Sequence, residues 1–157
     1  MDYSNSLNIV LVEPEIPGNT GTIGRLCVGL QASLTLVEPL GFSLEDKYMR
    51  RAGLDYWPHL RWQLRPNLQT LLDEVNQPHR FYFLTTKTDR PYTHARFKEG
   101  DFLVFGKETK GLPEPLLEEH QQQSLTIPMY GQTRSINLAI SVGIVAYEAM
   151  RQIRHGF

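Results

Sequence analysis

"LNIVLVEPEIPGNTGTIGRLCVGL", residues 7–30, decides the fold, because a strand, a turn and a helix follow one another along it. The first six residues are an apolar run rich in β-branched side chains, which is typical of a strand buried on both faces of a parallel sheet. A turn-forming segment follows, and then apolar residues recur on one helical face: Ile23, Leu26, Cys27 and Leu30. Either Asn19 or Thr20 could cap that helix.

The same alternation continues to the end of the chain. Further strands are predicted at 33–38, 60–64, 80–86, 101–106 and 124–129, and further helices at 43–53, 66–76 and from about Ser135 to Ile153. Alternating strands and helices with short links indicate an α/β fold with a mostly parallel sheet flanked by helices. With 157 residues and no linker or internal repeat, we expect a single domain over 1–157.

Composition excludes several classes of protein. Hydrophobic residues make up 41% of the chain and charged residues 21%, which favours an ordered domain over a disordered one. Cys27 is the only cysteine and the five histidines lack metal-ligand spacing, so we expect no disulfide and no metal site. Neither a signal peptide nor an apolar span of ~20 residues is present, which predicts a cytoplasmic protein with no membrane segment. Because the net charge is only −1, any nucleic-acid-binding surface must be local.

Three segments could carry chemistry, and the first is residues 13–25. Its glycines, Gly18, Gly21 and Gly24, match neither the dinucleotide nor the Walker pattern. A helix N-terminus with free amides still suits an anion such as a phosphate, and we expect Arg25 to reach the same mouth. Close helix packing would explain the glycines equally well, and Arg25 could be an ordinary surface arginine.

The second segment is residues 102–116, where a strand runs into a loop bracketed by Gly106 and Gly111. Glycine at both ends lets backbone groups approach a flat ligand closely. Glu108 between them could bind a sugar hydroxyl or offset a cationic ligand, although a solvated loop carboxylate would look the same.

The third segment, residues 131–150, passes from four polar residues into an apolar helix. Ser135 could cap that helix with Arg134 in solvent, or both could belong to a binding loop. Apolar residues surround most of the helix: Leu138, Ile140, Val142, Ile144, Val145, Tyr147 and Ala149. One surface of the helix is therefore expected to meet the sheet and the other a partner subunit.

These three segments, in this order, resemble the SPOUT superfamily of knotted RNA methyltransferases. The resemblance is closest to its small single-domain tRNA wobble-nucleotide 2′-O-methyltransferases, and it is carried by residues 8–27, 38–57, 102–113 and 127–152. It implies a SPOUT fold with a deep C-terminal trefoil knot over about 80–152, an obligate homodimer, and S-adenosylmethionine (SAM) as the cofactor. It also implies methylation of the wobble cytidine or uridine in the anticodon stem-loop of tRNA.

The resemblance further implies which residues form the site. Cofactor contacts carry over to Leu84, Thr85, Gly106, Glu108, Gly111, Ile127, Met129, Ser135 and Leu138, and catalytic roles to Arg25, Asn19, Ser135 and Asn137. No histidine or carboxylate pair is an obvious base, and a guanidinium stays protonated at neutral pH. Arg25 is therefore expected to orient the 2′-hydroxyl or bind the adjacent phosphate. The chain departs from its relatives at Ile140, where they commonly carry asparagine.

Two other functions stay open at this point. "PGNTGTIGR" after the first strand would also suit a non-catalytic flavin- or nucleotide-binding module of flavodoxin type. An RNA-binding factor could also keep the fold without turnover, since basic residues cluster at 47–51, 87–98 and 151–154.

Overall fold

The computed structural model describes residues 1–3, 6–45, 47, 51 and 56–156, and within them six strands form one sheet. The strands are β1 Asn8–Val12, β2 Ser33–Val37, β3 Trp62–Arg65, β4 Phe81–Leu84, β5 Phe102–Phe105 and β6 Ser124–Leu125. Their spatial order is β3-β2-β1-β5-β4-β6, and each neighbouring pair is parallel. The mostly parallel sheet is therefore confirmed.

Helices cover both faces of this sheet. Within the described ranges the α-helices are α1 Pro17–Leu30, α2 Leu68–Val75, α3 Glu114–Glu119 and α4 Leu138–His155. Short 3-10 turns lie at Trp57–His59, Pro78–Arg80, Tyr92–His94 and Gln121–Gln123. The helix predicted over 43–53 falls largely outside the described residues.

The core has two layers, because successive side chains of a strand point to opposite faces. Ile9 and Leu11 of β1 pack in the layer that contains α1 and α4. Val10 and Val12 of the same strand pack in the layer that contains α2 and α3. A strand buried on both faces was predicted here, and every residue of β1 is buried.

One surface of the last helix was expected to meet the sheet, and four of its apolar residues are buried: Leu138, Val142, Val145 and Ala149. Opposite it on α1 lies Cys27, which is fully buried. Burial raises the pKa of the Cys27 thiol to about 12, so this cysteine is a small apolar core residue. In the part of the chain that the structure describes, no helix combines the length and apolarity that crossing a bilayer requires.

The start of α1 differs from the sequence prediction. The helix begins at Pro17, after Ile16, and neither Asn19 nor Thr20 caps it. Proline suits the first helical position, because its fixed φ is already helical and its missing N–H would have had no partner there. Asn19 and Thr20 lie instead buried in the opening turn.

The start of α4 lies at Leu138, three residues after the predicted boundary. Asn137 is the cap, and its Oδ1 accepts the next two backbone N–H groups at 2.8 and 3.2 Å. Since Asn137 is the cap, the capping role predicted for Ser135 is wrong. Asparagine and serine are equally good N-caps, so residue type alone could not tell them apart. Helix α2 is likewise capped by Asn67 and starts at Leu68, rather than with the preceding proline.

Strand β6 is shorter than predicted, because the chain leaves the sheet after Leu125. Thr126 exchanges backbone hydrogen bonds of 2.8 Å with Arg90 and Tyr92, outside the main strands. Residues 127–137 then form a loop that leads into α4. The trefoil knot over about 80–152 stays a prediction from the family resemblance.

Candidate functional site

A cavity of about 410 Å³ opens at the edge of the sheet where the parallel strands end. The loops after β4, β5 and β6 form most of its wall, together with the first turns of α1 and α4. Loops that follow parallel strands meet at one edge of a sheet, and open α/β sheets bind their ligands there. The volume lies in the usual range for small-molecule sites, ~300–1,000 Å³.

The cavity wall contains every residue predicted to bind the cofactor: Leu84, Thr85, Gly106, Glu108, Gly111, Ile127, Met129, Ser135 and Leu138. Three of the four predicted catalytic residues, Asn19, Ser135 and Asn137, also line it. Segments that are far apart in the chain thus meet in one place. These residues lie where a shared binding site requires them to be. The role of each one toward a ligand stays a prediction.

Arg25 does not line this cavity. Because α1 already begins at Pro17, Arg25 lies more than two turns into the helix and not near its N-terminus. Its side chain is exposed, and the guanidinium carbon lies 5.2 Å from the centre of the Tyr56 ring. The Tyr56 hydroxyl donates to the Gly21 carbonyl at 3.0 Å, which fixes the ring against α1. Within one chain, therefore, the expected position of Arg25 at the cavity mouth is not found.

The glycines of the 106–111 loop serve the loop itself. A Cβ on Gly106 would lie 2.1 Å from the Gly111 carbonyl carbon and 2.3 Å from the Leu112 nitrogen. Gly111 has φ +66° and donates its N–H to the Lys107 carbonyl at 2.9 Å. The close approach that glycine permits here is thus between the two ends of the loop, which closes it into a tight turn.

Glu108 is not a solvated loop carboxylate. Its Oε1 accepts from the Glu15 N–H at 2.8 Å, and its Oε2 accepts from the Ile16 N–H at 2.9 Å. Oε2 also accepts from Asn19 Nδ2 at 3.2 Å. A carboxylate in this position satisfies free backbone donors at the start of α1 and interacts favourably with the helix dipole.

Asn19 connects this carboxylate to the third loop. Its amide nitrogen donates to Glu108, and its Oδ1 accepts from Asn137 Nδ2 at 3.1 Å. Asn137 is at the same time the cap of α4. Both ends of the Asn19 amide are therefore engaged by neighbouring loops, which fixes its orientation in the cavity wall.

The glycine pattern that suggested a flavodoxin-type module has a packing explanation at Gly24. A Cβ there would lie 3.2 Å from Leu60 and 3.3 Å from Trp57, so glycine lets this part of α1 pack closely against them. Gly18, by contrast, has open space around it. Gly24 therefore needs no bound nucleotide to explain it.

Several residues of the site escaped the sequence reasoning. Lys87 and Lys107 line the cavity and pair with Glu114 at 3.1 Å and Glu13 at 3.5 Å, yet the sequence suggested only a basic cluster around Lys87. In the sequence, only their position next to predicted site residues of the same loop could have indicated that these two lysines line the cavity. Tyr130, beside the lining residue Met129, is 95% exposed. Among the described residues, no group of three or more histidine, cysteine or acidic side chains could hold a metal ion.

Residues 6–147 match the profile described as the SpoU rRNA Methylase family. This chain belongs to that family. Two curated relatives, from Yersinia pestis and Escherichia coli (strain K12), are each described as a tRNA (cytidine(34)-2'-O)-methyltransferase. The first is 45% identical over 152 residues and the second 44% over 148, and both alignments cover 94% of this chain and 94% of the relative.

Solved structures of SpoU-type proteins superpose on the chain. One, described as "Structural insights into the 2-OH methylation of C/U34 on tRNA", has a TM-score of 0.87 at 42% identity and covers 95% of this chain and 97% of that one. An AdoMet-bound rRNA methyltransferase from Sinorhizobium meliloti has a TM-score of 0.83 at 24% identity, with 95% and 57% covered. That second likeness bears on the fold alone. The predicted SPOUT fold class is confirmed.

Proposed function

We propose that this chain transfers a methyl group from SAM to the ribose 2′-hydroxyl of the wobble nucleotide, cytidine or uridine 34, of tRNA. The observation that carries the proposal is the cavity whose wall contains every residue expected to bind SAM. The curated relatives support the substrate, since they share 44–45% identity with the chain over nearly its whole length.

The residues present fit SAM. Leu84, Phe105, Ile127 and Leu138 give the cavity apolar surface for a flat adenine, while Thr85 and Ser135 add hydroxyl groups that can bind its polar parts. The wall also contains charged groups of both signs, Glu108 and three lysines, which suits a ligand that carries both charges. When bound, SAM supplies an activated methyl group on a positively charged sulfur.

Methyl transfer needs the ribose oxygen held in line with that methyl group, and it needs a route for the hydroxyl proton. Ser135 makes no hydrogen bond within the described residues, so its hydroxyl can turn toward a ligand. Asn19 and Asn137 hold each other at 3.1 Å and present fixed amide groups. The cavity wall, as described, contains no histidine, and Glu108 is engaged by the loop after β1. We therefore propose that the adjacent substrate phosphate shares the proton while the methyl group is transferred, that the proton then passes to water, and that these side chains position the hydroxyl.

The protein is proposed to act as a homodimer in the cytoplasm, where tRNA is found. Ile140 and Tyr147, seven residues apart on α4, lie on the same side of the helix and are 56% and 58% exposed. A second copy would cover this apolar surface. Arg25 lies on the surface of α1, outside the cavity wall, and we propose that it contacts the RNA rather than the cofactor.

The proposal is tested by incubating the purified chain with SAM and tRNA from a strain that lacks its own methylation at position 34. Mass-spectrometric mapping should then find 2′-O-methylcytidine or 2′-O-methyluridine at that position. Arg25→Ala should abolish transfer and leave the affinity for S-adenosylhomocysteine (SAH) unchanged, while Arg25→Lys keeps part of the activity. Binding of tRNA without methylation would indicate an RNA-binding factor instead.

A further inference from the structure

Two loops beside the cavity are joined by side chains from both sides. The loop after β1, residues 13–16, contributes Glu15, and the loop after β5, residues 106–111, contributes Thr109. Glu15 Oε1 accepts from the Thr109 backbone N–H at 3.0 Å and from its Oγ1 hydroxyl at 2.7 Å. These contacts tie the middle of the second loop to the first.

The opposite contact runs from the second loop back to the first. Glu108, next to Thr109, accepts from the backbone N–H groups of Glu15 and Ile16. Each loop thus places a carboxylate on backbone donors of the other. We call Glu15, Glu108 and Thr109 together the clasp.

The clasp continues into the third wall of the cavity. Glu108 holds the Asn19 amide at 3.2 Å, and Asn19 accepts from Asn137, the cap of α4. One chain of hydrogen bonds therefore links the loops after β1 and β5 with the start of the last helix. Thr109 lines the cavity, whereas Glu15 lies outside the cavity wall.

We propose that Glu15 and Thr109 are positioning residues, which hold the 106–111 loop in its ligand-binding shape before the cofactor arrives. The inference rests on the proposed function and deepens it. When only a fraction of molecules has the binding-competent loop, the apparent dissociation constant rises by the inverse of that fraction. Hydrogen bonds from Thr109 also lower the pKa of Glu15, as expected for a carboxylate that is stabilised in its charged form by its donors.

Four variants separate this role from a general loss of stability. Glu15→Ala removes the acceptor and Thr109→Val removes the hydroxyl, whereas Glu15→Gln keeps an acceptor oxygen and Thr109→Ser keeps both donors. Asp73→Ala on α2 is the control, since it removes an exposed carboxylate that accepts from Gln69 Nε2 at 2.8 Å and lies outside the cavity wall. Urea unfolding checks that all variants remain folded.

Calorimetry with SAH and steady-state kinetics with SAM then measure the effect. In Glu15→Ala the dissociation constant of SAH and the KM for SAM should rise about tenfold, because charge-assisted hydrogen bonds are lost. At saturating SAM, kcat should stay within about twofold, because the bound cofactor restores the loop. Thr109→Val should show a smaller rise and Thr109→Ser near-original values. A fall in kcat with unchanged KM, or equal losses in Thr109→Ser and Thr109→Val, would overturn the inference.

Hydrogen exchange in the ligand-free protein decides the point independently of activity. In Glu15→Ala the Thr109 amide should exchange about tenfold faster, because its acceptor is gone and the loop opens. Unchanged exchange across 106–111 would overturn the inference even if SAH binds. Failure of the unmodified chain to bind SAH and to methylate tRNA would instead overturn the proposed function, while the exchange result would still show whether the clasp holds the loop.

Discussion

Polar side chains have different roles at the two edges of the sheet. At the amino edge, Ser33 Oγ donates to Asn8 Oδ1 at 2.6 Å, and Asn8 Nδ2 donates to the carbonyls of Tyr3 and Gly100 at 3.1 Å. Asp101 Oδ2 accepts from the Lys98 N–H at 2.7 Å beside them. At the carboxyl edge, polar side chains such as Glu108 and Asn19 bond from one loop to another around a cavity.

The difference shows what each edge is for. Polar groups at the amino edge form hydrogen bonds with one another, so removing one leaves its partner buried without a hydrogen bond. Those at the carboxyl edge hold open a space that a ligand can enter. We therefore expect substitutions at the amino edge to change stability and those at the carboxyl edge to change binding.

Gly106→Ala should have the largest effect, because it breaks the carboxyl edge directly. Its Cβ would clash with the Gly111 and Leu112 backbone, which cannot move away as a flexible side chain could. Overpacking of this kind costs about 1–3 kcal/mol of unfolding free energy, and the deformed loop should bind no measurable SAH. Gly18→Ala is the matched control, since nothing lies within 4 Å of its added Cβ. Near-normal SAH affinity in Gly106→Ala, measured by calorimetry, would refute the role given to this turn.

Ser33→Ala tests the amino edge. It leaves Asn8 Oδ1 without its 2.6 Å donor in a fully buried site, which should lower the free energy of unfolding by about 1–3 kcal/mol. Urea titration measures this loss. SAH affinity and kcat should stay within about twofold, because the residue lies at the end of the sheet opposite the cavity. A large change in kcat with no loss of stability would remove the distinction between the edges.

Asp101 makes the amino edge sensitive to pH. Burial raises its pKa from 3.8 to about 6, although the backbone N–H of Lys98 and the charges of Arg80, Lys98 and His79 act in the opposite direction. Between pH ~4 and ~6 the folded state keeps a proton that the unfolded state releases. The stability contributed by this group is therefore present below pH ~4 and lost as the pH rises through ~6.

Asp101→Asn should remove that dependence. Relative to the unmodified chain, the variant should gain up to about 3 kcal/mol of unfolding free energy between pH 4 and 7, at roughly 1.4 kcal/mol per pKa unit. Parallel stability curves for the two proteins would show that Asp101 titrates normally.

The sheet could be predicted from sequence patterns, whereas the residues of the cavity wall were predicted from the family resemblance. Apolar runs such as residues 9–12 can be read as buried strands. Loops after parallel strands share one edge, which indicates where a cavity can lie but not which residues line it. The hydrogen bonds between those loops could not be predicted from the sequence. Glu108 and Asn19, for example, are 89 positions apart and come together only in the folded chain. The position expected for Arg25 at the cavity mouth was not found, because α1 begins at Pro17 and Arg25 lies more than two turns after it.

Ile140→Asn should have the smallest effect. It tests whether the isoleucine found here, where relatives commonly carry asparagine, affects stability or cofactor binding. The Ile140 side chain is 56% exposed on α4 and lies outside the cavity wall, although its backbone N–H is bound by the Asn137 cap. We expect SAH affinity within about twofold and stability within about 0.5 kcal/mol, as for most surface substitutions. The proposed dimer should dissociate more readily, because an apolar contact is lost, and sedimentation at falling concentrations measures this. A tenfold change in SAH affinity with an unchanged dimer would instead show that Ile140 acts on the carboxyl edge through the start of the helix.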